Sequence, residues 1–396
     1  MKLSKGTGTA IAALLLTLFA CESPTKEEKL SEEITNSSEL PKADQSAKKI
    51  EYDTKYDNIS SFISGIKPQN NSETNLDSTI AWKNFSSSFD SIWQQLEKNR
   101  LEKMKVWRDE ELNLVNKEIQ TVFYPFSGPD FLNADVFFHN AKTFVLVGLE
   151  PAGALPELSK MNANDMEKYI NSVNISLNDL FKRSYFITKN MLGDLSKNNV
   201  NGTLPVMCIF LKRSGHTITD ISYVGVDSTG NVIPRTDTIP FKGSKGVKVT
   251  FFPNGSNELK TAFYFKTDLS DGGLKANPGF TTFINNLNPD VTYLKAASHL
   301  LHYGSFSTVR NAILNNSKAV VQDDSGIAYK FFDKEKWDIK LYGKYSKAVK
   351  DFAGVNQPEL KKAYESDSTV KPLPFSLGYH WGTKEVNLMV AIRRKN

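Results

Sequence analysis

Cysteine, histidine and long apolar runs are scarce in this chain. Two cysteines among 396 residues rule out a disulfide framework, and five histidines leave little material for a metal centre. No uncleaved stretch reaches the roughly 20 apolar residues that a membrane-spanning helix needs. Basic blocks are missing too, apart from Arg393 to Lys395, and a net charge of +5 is small for this length. That argues against a nucleic-acid partner and against an electrostatic hold on lipid headgroups. Motifs that would bring a cofactor are also absent. There is no Walker loop, no G-x-G-x-x-G turn and no G-x-S-x-G elbow around Ser127, and "DLSDGG" (Asp268 to Gly273) has too few oxygen ligands for a calcium loop. No cofactor is expected.

What is present begins at the N-terminus. Met1 to Lys5 is a short basic leader, Ala10 to Ala20 is apolar but too short for a mature spanning helix, and the run ends Leu18-Phe19-Ala20-Cys21. This segment resembles the signal peptide of bacterial lipoproteins, with Phe19 bulkier than is usual at its position. The resemblance implies a signal peptide over residues 1–20. It also implies that Cys21 is the first mature residue, lipidated on sulfur and acylated, with palmitate for instance, on its amine. Two or three acyl chains exceed the single-chain threshold for marginal binding, so the membrane would be a partner through Cys21. The place implied is the bacterial cell envelope, with the choice of inner or outer membrane open. Loss of residues 1–20 removes Lys2 and Lys5 and lowers the charge to +3. Cys208, in the apolar "LPVMCIFL", reads as a small core residue.

Residues 21–79 are rich in Ser, Asn, Lys and Glu and read as a disordered tether. A coil of about 55 residues has a root-mean-square span of about 40 Å. Residues 80–118 follow as a long amphipathic helix, with Trp82, Phe85, Phe89, Ile92 and Leu96 at spacings of three and four and a stutter at Asn99-Arg100. The stripe would pack on the protein's own core or, in the alternative, on a partner.

The globular part is expected over residues 119–396, with a possible division into two lobes near 267–279. Strands are expected at Thr143–Leu149, Val206–Leu211, Ile221–Val226, Val247–Phe252, Thr261–Lys266, Lys318–Gln322, Ile327–Phe332, Trp337–Tyr342 and Val386–Ile392. Helices are expected at Leu158–Val173, Ser176–Lys197, Gly279–Leu287, Val291–Tyr303, Ser305–Asn316 and Pro358–Glu365, with Asn174 as a boundary. Turn residues at Ser228 to Gly230 and Pro253 to Gly255 mark two hairpins. The fold class that follows is α/β or α+β, a mixed sheet with antiparallel hairpins flanked by helices.

Four carboxylates stand where loops leave strands or rigid turns: Asp130 after Gly128-Pro129, Glu150 in "VLVGLEPAG", and the adjacent Asp323 and Asp324 in "VVQDDSGI". Each has a plain reading as a turn or helix cap. As a catalytic set, one acid would donate a proton while another activated water. Neighbours on a strand point to opposite faces, so Asp323 and Asp324 would not both meet one ligand without a turn. Arg310, His380 and Trp381 are the candidate ligand-binding residues. His299, His302 and His380 make a weak alternative as a zinc site, because the helical zincin pattern is absent.

The phrases "YPFSGPDF", "VLVGLEPAG" and "VVQDDSGI" are similar to those of exported bacterial proteins without an assigned activity, a likeness that would span most of residues 120–396. It implies no reaction and no ligand. The expected role is therefore a lipid-anchored envelope protein that binds a ligand or protein partner. The alternative is an envelope hydrolase, acting on glycan or ester, that uses the strand-end carboxylates.

Overall fold

A computed structural model describes residues 51–69, 75–183, 200–236 and 241–395. The leader, Cys21 and the tether up to residue 50 lie outside the described residues, as do residues 184–197 of the expected helix Ser176–Lys197.

The N-terminal region is helical. α1 (Lys55–Ile63) is followed by α2 (Ile80–Leu96), a five-residue π-helical turn at Glu97–Leu101, α3 (Glu102–Glu111) and the short α4 (Asn113–Asn116). Thr79 caps α2 by accepting from the Trp82 amide. α1 falls inside the expected tether, yet Phe62 and Ile63 are core residues and Asp57 is buried. Tyr56, Ile59 and Ile63 form a helical stripe that the surrounding Ser and Asn had masked. The aromatic stripe of α2 is internal: Trp82, Phe85, Phe89, Trp93 and Leu96 are buried, whereas Ile92 is exposed.

Next come β1 (Thr121–Tyr124), α5 (Phe131–Phe137), β2 (Thr143–Gly148), α6 (Ala163–Arg183) and α7 (Leu204–Arg213). Four strands follow, β3 (His216–Val226), β4 (Val232–Pro234), β5 (Ser244–Pro253) and β6 (Lys260–Lys266). The last part runs α8 (Asp271–Ala276), α9 (Pro278–Asn286), β7 (Val291–Leu294), α10 (Ser307–Asn316), β8 (Ala319–Gln322), β9 (Trp337–Gly343), α11 (Pro358–Ser366) and β10 (Asn387–Arg393).

The ten strands form one sheet in the order β4-β3-β5-β6-β2-β1-β7-β8-β10-β9. Its middle five, β6 to β8, are parallel. The two expected hairpins, β3–β4 and β5–β6, lie in one wing, and antiparallel β10 and β9 form the other. β6 and β7 flank residues 267–279 and belong to the same sheet, so no lobe boundary falls there. Alternating strand residues serve two cores: Val122, Tyr124, Phe144 and Leu146 pack under α1 to α7, and Phe123, Val145 and Val147 pack under α8 to α11.

Four sequence readings are overturned. Val206–Leu211 is part of helix α7, not a strand. Its residues are all buried, so an unbroken apolar run carried no period to separate the two. Val291–Tyr303 is not one helix: β7 ends at Leu294, Ala296 takes φ +57°, and a 3₁₀ helix follows. Ile327–Phe332 is a turn and a 3₁₀ helix, not a strand. α6 runs through Asn174 without a break. Cys208 is buried in α7, where burial pushes its thiol up to about 12, as suits a core residue. Among the described residues no helix is long and apolar enough to cross a membrane.

Candidate functional site

β1 leads to one neighbour, β2, across α5, whereas β7 leads to the other side, to β8, across α10. The chain reverses its direction of travel between β1 and β7. Loops leaving the carboxyl ends of strands on either side of such a point diverge and open a crevice, which is where α/β sheets hold ligands. All four candidate carboxylates lie along this edge, Glu150 after β2, Asp130 after β1, and Asp323 and Asp324 after β8.

Asp130 gets there through a strained turn. Phe126 takes φ +60° and Gly128 φ +53°, and the Ser127 amide donates to the Val147 carbonyl at 2.9 Å. The Asp130 carboxylate then caps α5, accepting from the Asn133 amide and side chain. It also accepts from the Tyr124 hydroxyl at 2.9 Å and from Lys295 Nζ at 2.5 Å, all in the interior. The helix N-terminus is thereby filled by the chain's own anion, which argues against a phosphate there. Lys295 is the first residue after β7. Burial pulls its ammonium below the usual value, while Asp130 and Asp323 work in the other direction.

Asp323 and Asp324 lie just past the end of β8, in the turn that follows it, and take different partners. Asp323 accepts from the Ser325 amide and hydroxyl, and its Oδ2 packs against Gly378, where an added Cβ would stand 1.9 Å away. Burial first, and then the charge of Asp324, push its carboxyl up to about 6. Asp324 faces the chain before β10. Its Oδ1 accepts from Asn387 at 3.0 Å, its amide donates to Asn387 Oδ1, and its Oδ2 lies 3.3 Å from His380 Nε2. Burial works against a charge on His380, but the bond to Asp324 and its charge outweigh it and hold the imidazole above its usual value. The two carboxylates therefore clamp the turn Gly378–His380 from below, and Trp381 is the next residue.

Trp381 lines a cleft of about 1090 Å³. One wall is α2, the π turn and α6, and the other is Pro372 to Ser376 with Trp381 to Lys384; Gly343 and Val386 complete it. Arg100 sits on its inner surface, 8% exposed, with one nitrogen donating to the Leu180 carbonyl and Nε without a partner. The π turn explains this placement. Its extra residue moves Arg100 and Leu101 inward, where the α2 stripe alone would have left them displaced, and it corresponds to the stutter read at Asn99-Arg100.

The structure brings Asp130 and Asp323 together around Lys295 and places Asp324 beside them on His380. Glu150 stays apart, next to Tyr264, whose hydroxyl donates to the Glu150 carbonyl at 2.8 Å, and burial raises its carboxyl above the usual range. None of the four lines the cleft. Arg310 is occupied elsewhere, donating to the Leu301 and Tyr303 carbonyls beneath the Phe331 ring. His299 packs between Phe352 and Tyr379, and burial lowers His302 to about 4. Among the described residues no three metal-ligating groups gather, and His299, His302 and His380 are not brought into one set. Lys295, Arg100, Asn387 and Gly378 went unread in the sequence. Only Arg100 carried a signal, the broken heptad.

Compared with protein-family models, curated proteins and solved structures, the chain matches none.

Proposed function

We propose that this chain is a lipid-anchored protein of the bacterial cell envelope that binds a ligand in the cleft between α2, α6 and residues 372–384. The anchor rests on Leu18 to Cys21. The binding role rests on one observation above the others: the acidic groups of the edge are engaged with the chain itself, and none of them faces the cleft. Asp324 has both oxygens engaged, by Asn387 and His380, and Asp130 is closed in by Tyr124, Asn133 and Lys295. A cleft that combines apolar surface with amide, hydroxyl and cationic side chains, and whose neighbouring acids are engaged elsewhere, suits recognition.

The hydrolase reading, on glycan or ester, keeps one supporting observation. Asp323 holds its proton up to about 6 beside the Asp324–His380 pair, as a general acid would. The buried position of Asp323 against Gly378 weighs against substrate contact.

Two measurements test the proposal. Cells fed labelled palmitate should yield labelled protein in the membrane fraction, and Cys21→Ala should release unlabelled protein. Labelled Cys21→Ala protein would refute the anchor. For the cleft, a thermal-shift screen of envelope glycans and esters should return compounds whose stabilisation disappears in Ser376→Trp, which fills the cleft. Hits unaffected by that substitution would refute the site. Turnover of a hit, lost in Asp323→Asn, would replace binding with hydrolysis.

A further inference from the structure

Resting on the cleft reading above, we infer that the ligand is an anionic saccharide, its charge carried by carboxylate or phosphate. The first observation is charge. Arg100, Lys103, Lys182, Lys344 and Lys384 line the cleft, and among the described residues no carboxylate does. Composition does not explain this, because the chain holds nearly equal numbers of each sign, 49 basic and 44 acidic residues. Two other clefts are mixed. One of about 520 Å³ contains Glu97, Asp135 and Glu258 among its basic residues, and one of about 440 Å³ pairs Lys83 with Asp90. The four cleft lysines are exposed and, among the described residues, form no ion pair.

The second observation is a built-in donor. Arg100 is a buried guanidinium without a carboxylate within ion-pair distance, and its Nε lacks an acceptor. A buried, unsatisfied donor is costly, and an anion in the cleft would meet that need. Asp130, which acts on it through space, is already matched by Lys295.

The third is the remaining lining. Gln95, Asn99, Asn174, Asn178, Ser376 and Thr383 offer both donors and acceptors, as a hydroxyl-rich ligand requires. Trp381, 38% exposed, and Phe181 supply aromatic surface for the apolar face of a sugar ring. A bare ion would use the cations and leave this surface idle. A neutral glycan would leave the cations in mutual repulsion. The volume, about 1090 Å³, exceeds what a single small ion fills.

The test is calorimetric titration of the full chain in detergent with four probes: a glucuronate-bearing oligosaccharide, a phosphorylated oligosaccharide, their neutral counterpart, and inorganic phosphate. At least one charged saccharide should bind ten-fold or more tightly than the neutral one, weakening as salt rises. Lys344→Glu with Lys384→Glu, both on the exposed rim, should weaken it at least ten-fold without affecting folding, and Arg100→Met should do the same if that variant folds. The preferred probe tells carboxylate from phosphate. Equal binding of the neutral probe, lost in Ser376→Trp, would overturn the charge inference and leave the cleft reading standing. Inorganic phosphate binding as tightly as either saccharide would overturn the sugar. No binding by any probe would overturn the inference, and if the Ser376→Trp screen is then also blank, the cleft reading falls with it.

Discussion

Asp324 and His380, 56 residues apart, meet at 3.3 Å, and through that contact a carboxylate at a strand end fixes the turn that presents Trp381. Asp324→Asn should keep the bond to Asn387 and lose the ionic partner of His380, lowering stability by about 1–3 kcal/mol in denaturant unfolding. The pH dependence has a definite sign. The folded imidazole titrates above the unfolded value near 6.5, so the stabilisation is full below about pH 6.5 and disappears as pH rises through the folded value. The gap between wild type and Asp324→Asn should therefore narrow from pH 6.5 to pH 9. A gap that stays constant would remove the ionic account of this contact.

Asp323 gives a slope of the same sign in a lower pH window. Its carboxyl is raised to about 6 in the folded chain, first by burial, so the folded state keeps a proton that the unfolded state releases near pH 4. Stability should fall between about pH 4 and pH 6, by on the order of 2–3 kcal/mol. Asp323→Asn retains an oxygen for Ser325 and cannot titrate, so its unfolding free energy should be flatter across that interval. An unchanged slope would place the titration on another group.

Lys295 and Asp130 form a buried ion pair at 2.5 Å, each side chain almost fully enclosed. Lys295→Met alone leaves an uncompensated carboxylate and should cost about 3–5 kcal/mol. Adding Asp130→Asn should recover at least half of that loss, since the amide oxygen can still cap α5 and its NH2 can donate to the Tyr124 hydroxyl. Additive losses in the double variant would show that the two do not act as a pair.

Glu150 should behave differently from the other acids. Burial raises its carboxyl, and the Tyr264 hydroxyl binds its backbone carbonyl rather than its side chain as the closest contact. Glu150→Gln should leave the melting temperature at pH 7 unchanged or higher. A drop equivalent to more than about 1 kcal/mol would mean that the ionised carboxylate holds structure after all.

Much of the architecture was legible because it rests on local pattern. Both hairpins carried turn residues between β-rich runs, and the α2 stripe had helical spacing. The misreadings came where local pattern is silent. α7 is apolar all round, so its period vanished, and β7 is four residues long and runs into a 3₁₀ helix at Ala296, so "VTYLKAASHLLHYG" imitated one helix. That error concealed Lys295, the residue around which two of the four candidate acids gather.

The sequence by itself determined the mixed α/β class and the acids at strand ends, since each depends on neighbours within a few positions, and the lipidation proposed at Cys21 rests on sequence alone. Only the tertiary structure decided what those acids do. Pairing β8 with β10 carries Asn387 and His380 to Asp324, and pairing β1 with β7 carries Lys295 to Asp130. These contacts join residues 56 to 165 positions apart. Their charges become anchors because burial removes water as a competing partner, and no local pattern records which distant residue will answer each charge.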